Sequence, residues 1–135
     1  MLKASFAVGD QAPAHCTAIG KMILAHLPDK ELEELVRRNP LEPWGPNTIT
    51  SLARLTEELR KTRARGYSID DEELAPDTRC IGAPIRDHMA QVVAAVAISG
   101  PAQRLTFERL EELRAPILET ARLISERIGY REVAQ

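Results

Sequence analysis

The sequence predicts an α+β domain in which helices pack against a small antiparallel sheet. Three observations predict it. Apolar residues recur at helical spacing over the first half of the chain and again near its C-terminal end, whereas the segment after Gly66 changes to short apolar runs of the kind that build strands. No helix-length segment separates those runs, so no βαβ unit and no parallel sheet is expected. No internal repeat is present.

The first apolar stretch, "LKASFAV" at 2–8, reads as a strand ended by a Gly9-Asp10 turn. Thr17 suits the cap of a helix whose apolar face carries Ile19, Ile23, Leu24 and Leu27, and Pro28 stops it. Asp29 is placed to cap a second, peripheral helix with the narrow stripe Leu32, Leu35 and Val36. "NPLEPWGPN" at 39–47, with its three prolines and the sole tryptophan, Trp44, has the composition of an ordered loop or lid. Thr50 or Ser51 caps a third helix, with Leu52, Leu55 and Leu59 inward and Gly66 as left-handed C-cap. "YSID", "RCIGAPI" and "QVVAAVAIS" follow as three strands, the last two joined by "RDHMA" as a hairpin. The third is apolar at successive positions, which predicts a central strand covered on both faces. Thr106 opens a last helix with Phe107, Leu110, Ile117, Ala121, Ile124 and Ile128 on one side, and Pro116 is expected to kink it.

Length and composition narrow the function classes. A chain of 135 residues with 44% hydrophobic residues is one domain with one core. Its formal net charge of -2 supplies no field for phosphate backbones or acidic lipid. The longest apolar runs fall far short of the roughly 20 residues that cross a bilayer, and no basic, apolar leader opens the chain, so a cytoplasmic location is expected. Two cysteines, Cys16 and Cys80, without CxxC spacing suit reduced thiols.

Three groups of residues carry candidate chemistry. The acidic run Asp70, Asp71, Glu72 and Glu73 cannot all face one site, because alternate residues of an extended chain point to opposite sides. It lacks the spacing of HExxH or a calcium loop. Asp70, directly after Ile69, is the acid placed at a strand mouth; a solvated turn accounts for the other three. Cys16 or Cys80, with His15, His26 or His88 as base, would make a thiol hydrolase together with Asp70, although neither thiol lies in a recognisable local signature. His15, Asp70 and Cys80 have the residue types of a metal site but scattered positions. Thirdly, a helix capped at Thr17 leaves the amides of Ala18, Ile19 and Gly20 without intrahelical partners, which suits a small carboxylate. Gly20 would let a ligand or another backbone approach closely.

Read together, "PAHCTAIGKMILAHLP", "RGYSIDDEELAPDTRCIGAPIRD" and "VVAAVAISGP" resemble the C-terminal effector-binding domain of the IclR family of bacterial transcriptional regulators, over about residues 8–130. The resemblance implies a GAF-like (profilin-like) α+β fold, an antiparallel sheet flanked by helices, here truncated at its N-terminal side. It implies that residues 1–135 are an effector-binding domain whose DNA-binding winged helix-turn-helix is absent from this chain. The implied partners are a small organic acid effector, a second copy or a tetramer of itself, and operator DNA through the missing part. No catalysis, cofactor or metal is implied. The effector contacts it implies are the amides of Ala18 and Ile19, the side chains of Asp70 and Cys80, and Ala97 and Ser99 where relatives often carry two serines. Thr17 and Trp44 are further candidates for lining the pocket. Ala97 in place of a hydroxyl, and Ile19 in place of a smaller residue, favour an aromatic or short apolar acid over a sugar acid.

Overall fold

The computed structural model describes residues 6–132. The elements run α1 (Ala18–Leu24), α2 (Asp29–Arg38), α3 (Leu52–Arg65), β1 (Ser68–Asp71), β2 (Thr78–Arg86), β3 (Val92–Pro101) and α4 (Phe107–Arg127). The three strands form one antiparallel sheet in the order β1-β2-β3. Residues 2–5 of the expected first strand lie outside the described residues, and Phe6 and Ala7 belong to no strand. A turn does follow, closed by the Asp10 amide on Ala7 O.

The helix ends follow local chemistry. Thr17 Oγ1 accepts from Gly20 N at 3.1 Å, Ser51 caps α3 and Thr106 caps α4, each satisfying an amide that the helix leaves free. Gly66 ends α3 at φ 86. At α2 the expectation needs correction: Asp29 is the first helical residue, Pro28 precedes it, and no side chain caps the helix. Pro28 already holds the φ that a helix entry requires, and Asp29 acts on the dipole from the first turn instead. α4 runs unbroken through Pro116, with Thr120 Oγ1 donating to Pro116 O.

The sheet is sandwiched between helices, and the pleat of β2 decides which residues meet which helix. Ile81, Ala83 and Ile85 face α4, where they form a core with Leu105, Leu110, Ile117 and Ala121. Gly82, on the opposite face, lies under α1: a Cβ there would stand 2.6 Å from Ser68 Oγ and 3.2 Å from the Ala18 backbone. Only glycine permits that approach. Ser68 Oγ completes the contact by donating to Ala18 O at 2.6 Å. In place of the single core expected, a second buried cluster of Leu24, Ala25, Leu32, Ile49, Leu55 and Leu59 joins the first three helices.

Three expectations about burial are corrected, in whole or in part. The central strand is β2, not β3; β3 is an edge among the described residues, and its apolar residues are half-buried or exposed. Its continuous apolar run matched what a two-faced burial demands, but its position depends on pairing, which periodicity does not report. The buried residues of α1 are Ala18, Lys21, Met22 and Leu24, of which only Leu24 was expected, while Ile19 is 44% exposed. Ala18 must face Gly82, and one residue further along a helix is roughly 100° round, so Ile19 turns outward. On α4, Leu110, Ile117 and Ala121 are buried as expected, but Phe107 and Ile128 are exposed.

Candidate functional site

The register brings together residues far apart in sequence. Asp70 of β1 stands opposite Cys80 of β2, and Cys80 opposite Ser99 of β3, giving a polar row straight across the sheet. The next row is Ser68, Gly82 and Ala97. α1 packs against both β2 and β3. The row is graded: Asp70 is 1% exposed, Cys80 is buried and Ser99 is open to solvent.

Asp70 is held rigidly at one oxygen and not at the other. Its Oδ1 accepts from the amides of Glu73 at 2.8 Å and Leu74 at 3.4 Å, which anchors the acidic turn. Its Oδ2 is buried and has no hydrogen-bond partner among the described residues. Burial pushes the Asp70 carboxyl above its ordinary range; the two amides, the Lys21 ammonium and the Cys80 thiol pull it partly back. Cys80 Sγ lies 2.7 Å from Ser99 Oγ.

The residues that sequence reasoning missed are Lys21 and Glu73. Glu73 was expected to belong to a solvated turn, yet it is 7% exposed, and Lys21, with no exposed surface, donates to both of its oxygens at 2.9 and 2.8 Å. Glu58 of α3 lies 3.7 Å from the same ammonium. Burial raises the Glu73 carboxyl, and Lys21 and the Asp71 amide oppose the rise. The turn is folded inward because Thr48 Oγ1 and Gly45 N, from the Pro-rich loop, both donate to Glu73 O. No spacing in the sequence announces this pair, because a lysine on an amphipathic helix is ordinarily read as surface. The other two acids stay near the surface: Asp71 pairs with Arg79 at 2.8 Å, and Glu72 accepts from Asp77 N.

The remaining candidates lie apart from the row. Trp44 lines a separate apolar cleft of ≈ 460 Å³ with Pro13, His15, Leu32 and Leu35. Thr17 Oγ1 is already engaged within the helix entry, donating to Pro13 O and accepting from Gly20 N. The close approach that Gly20 permits is taken by backbone: a Cβ there would stand 2.3 Å from Ala14 O. α1 is seven residues long, too short to carry much dipole, so an anion near Ala18 and Ile19 would depend on the strand residues.

The thiols are poorly disposed for catalysis. Burial pushes Cys16 up to about 12, with Asp70 and Glu73 adding to the rise, and Cys80 up to about 11 against the opposing Ser99 hydroxyl. Cys80 meets a serine, whereas a nucleophile needs a base within reach. His15 Nε2 lies 2.8 Å from Glu42 O, and His26 is held below its ordinary value by burial and by Arg86 and Arg63. The hydrolase alternative therefore has no support. Among the described residues no three His, Cys, Asp or Glu side chains come together as a metal site.

An α+β domain with a three-stranded antiparallel sheet and flanking helices matches the C-terminal domains of IclR-type regulators. The chain belongs to that family: the model described as bacterial transcriptional regulator IclR C-terminal matches residues 1–126. It is 38% identical over 124 residues to the HTH-type transcriptional regulator BhcR of Paracoccus denitrificans, covering 92% of this chain and 44% of that protein. It is 36% identical to the transcriptional repressor IclR of Escherichia coli, covering 93% of this chain and 46% of the repressor. The crystal structure of the Agobacterium tumefaciens repressor BlcR superposes with a TM-score of 0.88 at 38% identity, over 94% of this chain and 52% of BlcR. The chain thus spans about half the length of the relatives it matches. No described helix is long and apolar enough to cross a membrane.

Proposed function

We propose that this chain is the effector-sensing domain of a cytoplasmic IclR-type transcriptional regulator, performs no catalysis, and controls operator binding by a winged helix-turn-helix outside it. The effector is a small organic acid with an apolar body. It binds along the row Asp70, Cys80 and Ser99, near the amides of Ala18 and Ile19. A ligand that binds one arrangement of a homodimer or homotetramer more tightly than another shifts the population toward it, and the DNA-binding parts follow.

The observation that carries this reading is the row itself, with a fully buried carboxylate oxygen left without a partner at one end and a solvent-facing hydroxyl at the other. A buried polar atom without a partner costs about 1–3 kcal/mol, a cost that a hydrogen-bonding ligand removes. Ala97, beside Ser99 on the same face, offers a methyl, and the hydrogen bond it cannot make is worth about 0.5–1.5 kcal/mol to a hydroxylated ligand. An apolar acid loses nothing there.

The test is a thermal-shift and calorimetric series with butyrate, benzoate, 3-hydroxybenzoate, pyruvate and gluconate on the wild type, Asp70→Ala and Ser99→Ala. Saturable stabilisation by an apolar acid, weakened in both variants and absent with gluconate, is the expected result. Equal stabilisation of all three proteins, or none of the wild type by any acid, overturns the site.

A further inference from the structure

Resting on that reading of the site, we propose that Asp70 receives the effector as a carboxylic acid: its Oδ2 carries a hydrogen that it donates to the ligand's carboxylate, so that one proton is taken up with each effector bound. The geometry assigns the roles of the two oxygens. Oδ1 already accepts two backbone amides, so it must remain an acceptor. Oδ2 is buried, makes no hydrogen bond of normal geometry among the described residues, and belongs to the residue at the closed end of the row; the neighbouring Cys80 thiol, which draws the carboxyl down, is only a weak donor. Two carboxylates side by side in a buried site cannot both stay ionised, and sharing a proton removes the repulsion. The proton comes from solvent; the bound pair carries a single negative charge, where the separated carboxylates carry two.

The groups around Asp70 favour this outcome over a second cation. Lys21 of α1 faces it but is committed to Glu73, with both carboxylate oxygens of Glu73 on its ammonium. Glu73 in the turn adds negative charge. Cys16, just before α1, and Cys80 of β2 are thiols held neutral by burial. No arginine contacts Oδ2 among the described residues. Burial, which lifts the Asp70 carboxyl above its ordinary value, acts in the same direction.

The consequence is a proton-linked affinity. At pH values above the one at which Asp70 ionises in the free protein, the apparent Kd for benzoate should rise by up to tenfold per pH unit. Calorimetry in two buffers of different ionisation enthalpy should report close to one proton taken up per benzoate in that range, and close to none well below it. Asp70→Asn keeps Oδ1 as acceptor and supplies an amide donor that does not titrate, so its Kd should be nearly independent of pH between 6 and 9. Thermal unfolding of the variant establishes that it is folded, and Glu73→Gln, if folded, should retain the wild-type slope. Benzoate binding by the wild type with no proton uptake across that range overturns the inference and leaves the site reading intact. A slope that persists in Asp70→Asn assigns the proton elsewhere and also overturns it. Absence of binding by any acid in the panel removes the reading on which the inference rests, and the inference with it.

Discussion

Lys21 and Glu73 tie α1 to the acidic turn, and breaking the pair tests the packing of the whole site. Lys21→Met keeps the length and apolar stem of the side chain but leaves Glu73 buried without its cation. Removing one partner of a buried ion pair costs about 3–5 kcal/mol, because the remaining charge is uncompensated. With an unfolding entropy of about 2.1 cal/mol/K per residue, a chain of 135 residues should lose roughly 10–18 °C in Tm. Glu73→Leu added to Lys21→Met removes the orphaned charge, and the double variant should recover most of the loss, since apolar replacement of a buried pair is often close to neutral. Glu73 also accepts from Asp71 N at 3.2 Å, so recovery should stop short of complete. The cost of Lys21→Met should shrink as pH falls toward 4.5, the ordinary glutamate value, because Glu73 then takes up a proton and no longer needs a cation. Urea titrations of the wild type, the two single variants and the double variant, at neutral and acid pH, give the coupling energy directly. A cost below about 1 kcal/mol for Lys21→Met, or a coupling energy near zero, refutes the assignment of a buried ion pair.

Three other outcomes follow from the same contacts. Asp70 binds its proton more tightly folded than unfolded, so its contribution is fully favourable below its ordinary value of 3.8 and is lost as pH rises through the raised folded value. Asp70→Asn should therefore gain stability over the wild type as pH increases, seen as diverging urea midpoints between pH 4 and 8; a constant difference refutes it. Gly82→Ala should cost about 1–3 kcal/mol by pushing α1 off the sheet, and urea unfolding that shows no loss would mean α1 does not sit on Gly82. Finally, with Cys80 pushed up to about 11 and Cys16 up to about 12, both thiols should react with a disulfide reagent at pH 8 far more slowly folded than in guanidinium. Rapid labelling of the folded chain would contradict their burial.

The order of helices and strands was legible because each rests on a local signal: Thr17, Ser51 and Thr106 as caps, Gly66 as a stop, and the change of period after it. That Asp70 and Cys80 stand opposite one another was suggested only through the family motifs, since nothing in their spacing implies a shared register. Lys21 and Glu73 were not legible at all. Glu73 sits in a run of acids that reads as solvated, Lys21 is a lone charge on an apolar helix with no visible partner, and the burial of the pair depends on a turn folded inward by Thr48 and Gly45.

The sequence by itself determined the α+β class, the helix boundaries set by side-chain caps and the candidate acids and thiols, because these depend on residues within a turn or two of one another. The tertiary structure alone decided that β2 is the middle strand, that Ile19 faces outward, and that Asp70 leaves one oxygen without a partner. Each of these depends on which surfaces meet across the sheet, and a register shift of one residue in β1 would already carry Asp70 to the opposite face.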